Sequence, residues 1–163
     1  MANASLSTEQ ILTLLAATPT RLATATGDLT PTQSRTAPAS GEWSANEVLA
    51  HLRACADTRG GCIVAMLTEG KTTLRAINPL TWIKQTNYLD LDFEPSFRAF
   101  ATQRAELLAL LRALPPEGWS RSATVTGAGA PIVRTVLTYA QWVARHERPH
   151  VKQIERIANA LRG

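Results

Sequence analysis

The chain has 163 residues, 45% of them hydrophobic and only 18% charged, which suits one domain over residues 1–163 with a substantial core and excludes a disordered polymer. A net charge of +4 invites a nucleic-acid partner, but the 17 Lys and Arg are scattered, and a basic surface binds nucleic acid only when its charges cluster. Two cysteines cannot make a disulfide scaffold, no window approaches the ~20 apolar residues that span a bilayer, and Met1 to Leu6 carry no leader pattern. A cytoplasmic protein with no nucleic-acid or membrane partner is expected.

Four amphipathic helices account for the hydrophobic pattern. Ser7-Thr8-Glu9-Gln10 is a capping box, followed by a helical stripe of Ile11, Leu12, Leu14, Leu15, Thr18 and Leu22 that Pro19 should kink or interrupt. Residues 27–42 read as loop. Ser44-Ala45-Asn46-Glu47 is a second capping box, with Trp43 placed for a hydrophobic staple. Val48, His51, Leu52, Cys55, Cys62, Ile63 and Met66 follow at helical spacing, with a bend expected at Gly60-Gly61. A less regular stretch comes after Gly70, with a short helix near Leu80 to Tyr88. Pro95 suits the first turn of a third helix, whose stripe of Phe97, Phe100, Arg104, Leu107, Leu108 and Leu111 stops before Pro115-Pro116. After a loop at 117–131, with at most an extended piece near Ala123 to Thr126, a fourth helix runs from about Ile132 towards Leu161. The expected fold is all-α: a four-helix bundle with long connections between helices 2 and 3 and between helices 3 and 4.

The three histidines of the chain, His51, His146 and His150, all fall on apolar stripes. A four-residue step leaves His146 and His150 only ~40° apart on one helix face, and neutral imidazoles one turn apart can share a cation. Bundles build metal sites from inward side chains on facing helices, so His51 is the natural third ligand. Residues 146–150, His-Glu-Arg-Pro-His, also match the H-E-x-x-H pattern of zinc hydrolases, with Glu147 as general base. That minor alternative lacks a downstream ligand: Gln153 and Arg156 occupy the Gly and His positions of the extended motif. Pro149 between the two histidines predicts a kink or π-like widening of the helix.

Trp43-Ser44-x-x-Glu47-Val48-Leu49-Ala50-His51-Leu52, followed far downstream by His146-x-x-x-His150-x-x-Gln153-Ile154, resembles the DinB-like superfamily over nearly the whole chain. A Gly-Trp-Ser loop before the last helix adds to the likeness. The resemblance implies a four-helix bundle in which His51, His146 and His150 hold a divalent metal, usually nickel or zinc. It also implies a homodimer. Some members are transferases or isomerases that use a low-molecular-weight thiol such as bacillithiol or mycothiol.

A metal-dependent enzyme acting on a small-molecule substrate with a thiol cosubstrate is therefore one expectation. A non-catalytic stress-response or binding module with a structural metal is the other. Cys55, facing the same way as His51, is a candidate fourth ligand that would close the site; buried free cysteine is more often a small apolar residue. Tyr88, Tyr139, Asp57, Glu147 and Arg145 are candidates for assisting, and Asp57 or Gln141 for orienting the imidazoles. Arg145 or Arg59 at the rim would attract a carboxylate-bearing substrate.

Overall fold

The structure is a computed structural model that describes residues 5–162. Helix α1 spans Thr8–Thr26 and opens with the capping box at Ser7. It passes through Pro19 without interruption. Proline there cannot donate to the carbonyl of Leu15, and that carbonyl instead accepts from Arg104 Nη1 at 2.9 Å. The tertiary partner removes the penalty that made an interruption expected.

The 27–42 connection contains one short helix, α2 (Pro31–Ser34), which starts at a capping box formed by Thr30 and Gln33. Helix α3 covers Ala45–Cys55 behind its cap at Ser44. It continues through a π-helical turn at Ala56–Gly60 into α4, Gly61–Thr68. The widening thus falls just before the glycine pair and ends at its first member. At Pro149 none is present: α7 (Val136–Arg162) is α-helical throughout. After β1 (Thr73–Arg75) come α5 (Pro79–Trp82) and a 3-10 turn at Ile83–Gln85. Helix α6 (Phe93–Arg112) follows, and then a 3-10 turn at Pro116–Ser120.

Two strands, β2 (Ser122–Thr126) and β3 (Ile132–Thr135), precede α7. β1 pairs parallel with β2, and β2 antiparallel with β3. Only the β2 segment had been expected as extended. Ile132 lies four residues before Val136, in helical phase, which is why the sequence assigns it to the last helix. In the structure Ile132 pairs with Val125 and is 44% exposed, so the helix begins four residues later. The sheet is a minor appendage to a four-helix bundle.

Helices α1 and α3 do not pack mainly on one another; each packs on α6 and α7. The two therefore stand on opposite corners, and the 27–44 connection crosses the end of the bundle. The interior divides into two apolar clusters. One gathers Ile11, Leu15, Ile63, Leu107, Leu111 and Val143; the other gathers Leu22, Leu49, Leu52, Phe100, Ile154 and Ile157. Along each line of helix a buried polar residue separates the two: Thr18 on α1, Thr58 in the π turn between α3 and α4, Arg104 on α6 and Glu147 on α7. A polar layer therefore crosses the bundle between two hydrophobic halves, and the histidines join it.

Candidate metal centre

Helix α3 carries His51 and Cys55 one turn apart, and α7 carries His146 and His150 one turn apart. Packing of α3 on α7 brings the three imidazoles into a triangle. Ring centroids are 5.1 Å apart for His51–His146, 4.8 Å for His51–His150 and 4.7 Å for His146–His150. The Nε2 atoms of His51 and His146 face each other at 3.2 Å. Cys55 Sγ lies 3.7 Å from the first and 4.0 Å from the second. His51, Cys55 and His146 thus offer donor atoms that all lie within 4.8 Å of one another. His150 has its Nδ1 3.0 Å from Gln153 Oε1. An amide oxygen only accepts, so this contact places the proton on Nδ1 and leaves the Nε2 lone pair available.

Aromatic rings shape the surroundings. Trp142 stacks face to face on His146, with centroids 4.6 Å apart and planes 8° from parallel. Trp43, just outside the α3 cap, meets His51 edge-on at 5.5 Å. Arg59, from the π-helical turn, places its guanidinium carbon 4.9 Å from the Trp142 ring centroid. Its Nε and the Nδ1 of His146 are buried without a hydrogen-bond partner. A groove of about 320 Å³ runs beside the triangle, lined by Trp43, His150, Gln153 and Arg156 among others.

The electrostatics favour neutral ligands. Burial pulls His146 down to about 4, helped by His150, His51 and Arg59. Burial also lowers His51. The Cys55 thiol is pushed up to about 12, again chiefly by burial and against the pull of Arg59. Burial thus favours the uncharged form of His51 and His146, the form that binds cations.

The other expected participants are committed elsewhere. Glu147 is 3% exposed. It pairs with Arg104 through both carboxylate oxygens and accepts from Thr18 Oγ1 at 2.9 Å. It points away from the imidazoles because one residue step turns the helix by about 100°. Gln141 accepts the backbone N–H of Leu6 at 2.8 Å rather than orienting a histidine. Cys62 donates to the Thr58 carbonyl at 3.2 Å and stands outside the donor group; the π turn between it and Cys55 breaks the helical phase that aligned them on paper.

Asp57 holds the 79–88 segment down. It accepts from Trp82 Nε1 at 3.0 Å, from Gln103 Nε2 at 2.8 Å, and from the Tyr88 hydroxyl. Arg53 covers the Tyr88 ring at 3.7 Å. Burial, then the Asp57 carboxylate, push Tyr88 up to about 12; burial, then Cys62, raise Tyr139 to about 12. Both tyrosines of the chain should therefore ionise well above their ordinary 10. The folded state keeps protons that the unfolded chain has lost between those values. Stability from this source is complete below about 10 and is lost as pH rises towards 12. Tyrosinate absorbance, titrated beside circular dichroism, should show ionisation and unfolding together. Ordinary titration of both rings in folded protein would refute it.

Sequence inspection missed Trp142, although it sits four residues before His146 and so on the same face. It also missed the Arg104–Thr18 clasp on Glu147, which no local spacing encodes.

The sequence profile of the DinB superfamily matches residues 14–154, and the chain belongs to that superfamily. Among solved structures, YfiT from Bacillus subtilis, described as "a probable metal-dependent hydrolase with an unusual four-helix bundle topology", superposes with a TM-score of 0.71 at 21% identity. The match covers 96% of this chain and 91% of that one. At this identity the likeness establishes the shared fold. No curated protein matches the sequence. Among the described residues no helix is long and apolar enough to cross a membrane.

Proposed function

We propose that the protein holds one divalent cation, nickel or zinc, on His51, His146 and His150, and uses it in a transferase or isomerase reaction of a small molecule with a low-molecular-weight thiol. The observation that carries this is the triangle of imidazoles, 4.7–5.1 Å between centroids, built from two helices about a hundred residues apart in sequence. The donor types fit such an ion: imidazole suits nickel and zinc, and burial favours the neutral form of His51 and His146. The description of YfiT as metal-dependent supports the same assignment. When bound, the cation supplies the positive charge that keeps a thiol deprotonated at neutral pH.

The chain's own residues then do the positioning. Gln153 fixes the tautomer of His150, and Trp142 fixes the plane of His146. Arg59, half-buried beside Trp142, offers a guanidinium to a carboxylate on the substrate, entering along the groove next to His150. Hydrolysis with Glu147 as general base is disfavoured, because Arg104 and Thr18 already occupy its carboxylate. A structural metal in a binding module is the alternative, distinguished by whether added thiol reaches the ion.

Metal analysis of the purified protein is the test. About one equivalent is expected in the wild type, and a loss of most of it in H51A, H146A and H150A with helicity retained. Turnover with bacillithiol- or mycothiol-type thiols should follow the metal content. A wild-type protein that takes up neither zinc nor nickel would overturn the proposal.

A further inference from the structure

The polar layer holds one donor that a three-histidine site leaves unused. Cys55 is 3% exposed, and its Sγ is aimed at the gap between the two facing imidazole nitrogens, 3.7 and 4.0 Å away. These separations are informative. Bond lengths of about 2.0–2.1 Å to nitrogen and 2.3 Å to sulfur at tetrahedral angles place neighbouring donors roughly 3.3–3.6 Å apart. The observed separations, 3.2 Å between nitrogens and 3.7 and 4.0 Å to sulfur, are within a few tenths of an ångström of that frame.

We propose that Cys55 is a protein ligand of the cation, bound as the thiolate alongside His51 and His146, with His150 completing the set. This rests on the metal assignment above. As the sulfur–metal bond forms, the thiol S–H bond breaks and its proton leaves to solvent; nothing is oxidised or reduced. A thiolate donor shifts preference towards thiophilic ions such as zinc, nickel and cobalt and away from magnesium, calcium and manganese. With three imidazoles it also fills a four-coordinate zinc site. An external thiol would then enter only by expanding the coordination or by displacing the Cys55 sulfur.

Cobalt(II) reports both claims separately. The full-length chain, freed of metal and kept reduced with a phosphine instead of a thiol, is titrated with cobalt chloride and followed by absorbance. The expected result is visible ligand-field bands together with a near-ultraviolet thiolate-to-cobalt charge-transfer band, both saturating at one equivalent. C62S should keep both features. C55S should keep the ligand-field bands, lose the charge-transfer band and bind cobalt at least tenfold more weakly. Ligand-field bands with no charge-transfer band in the wild type would overturn Cys55 ligation and leave the histidine site standing. No cobalt uptake at all would overturn the metal assignment itself. Should C55S fail to fold, C62S still decides, because the chain has only two cysteines: a band that survives in C62S belongs to Cys55, and one lost there refutes the proposal.

Discussion

Glu147→Ala or Arg104→Met should destabilise the fold by about 3–5 kcal/mol, because each leaves one charge buried without its partner. That is a large share of the roughly 5–15 kcal/mol that holds a typical domain folded. The two side chains are 3% and 2% exposed. They share one contact at 3.0 Å and a second, closer one, and Thr18 and the Leu15 carbonyl complete the cluster. The double variant R104M/E147L removes both charges with similar volume and should recover most of the loss. It should not recover all of it. The Leu15 carbonyl, which Pro19 cannot serve, would be left without its donor, at a cost of about 1–3 kcal/mol. Urea denaturation of the wild type, both single variants and the double variant measures each quantity. Single variants within about 1 kcal/mol of wild type would show that the pair does not lock the bundle. The same experiment decides what the glutamate of the H-E-x-x-H sequence does. It fixes the rotation of α7, and through that rotation the direction in which His146 and His150 point.

Much of this was legible in the sequence, and the remainder was hidden for specific reasons. Ser7 and Ser44 announced their helices because a capping box is a local hydrogen-bond pattern that needs no tertiary partner. Thr30-Pro31-Thr32-Gln33 carries the same signal, but the helix it starts is only four residues long and shows no apolar stripe in the sequence. Strands β1 and β3 are three and four residues long; alternation has no room to show at that length, and β3 is largely exposed. Both prolines sit inside unbroken helices. At Pro19 the reason is visible: the carbonyl it leaves unpaired finds another donor, Arg104, from 85 residues away in sequence. Helical phase placed all three histidines on inward stripes, and the structure gathers their rings. The same phase argument aligned Cys62 with Cys55 and failed, because the π turn at Ala56–Gly60 lies between them. That turn also delivers Arg59 to Trp142 and Asp57 to the 79–88 segment. The π turn that ends at the Gly60-Gly61 pair, where a bend is expected, is therefore the joint that aims several side chains at the site.

The histidine layer should prove to be retained at the expense of stability. His146 has a buried Nδ1 with no partner, is driven towards neutrality by burial, and crowds two other imidazoles within 5.1 Å. None of this helps the metal-free fold. Leucine has similar bulk, carries no polar atom, and still covers the face of Trp142. H146L, melted in the presence of chelator, should match or exceed the wild type, by about 1 kcal/mol where relief of an unsatisfied buried group is the main change. With zinc at a hundred times its dissociation constant the order should reverse. Binding to the folded state alone then stabilises the wild type by about 2.7 kcal/mol, whereas H146L should gain little. Thermal melts of the two proteins, each with chelator and with zinc, provide the four numbers required. A lower melting point for H146L in chelator would mean that the imidazole is a satisfied part of the core, and an equal zinc-induced shift in both proteins would mean that His146 is no ligand. The expected crossing of the two curves separates a binding residue from a packing residue, since packing residues lose stability with or without the ion.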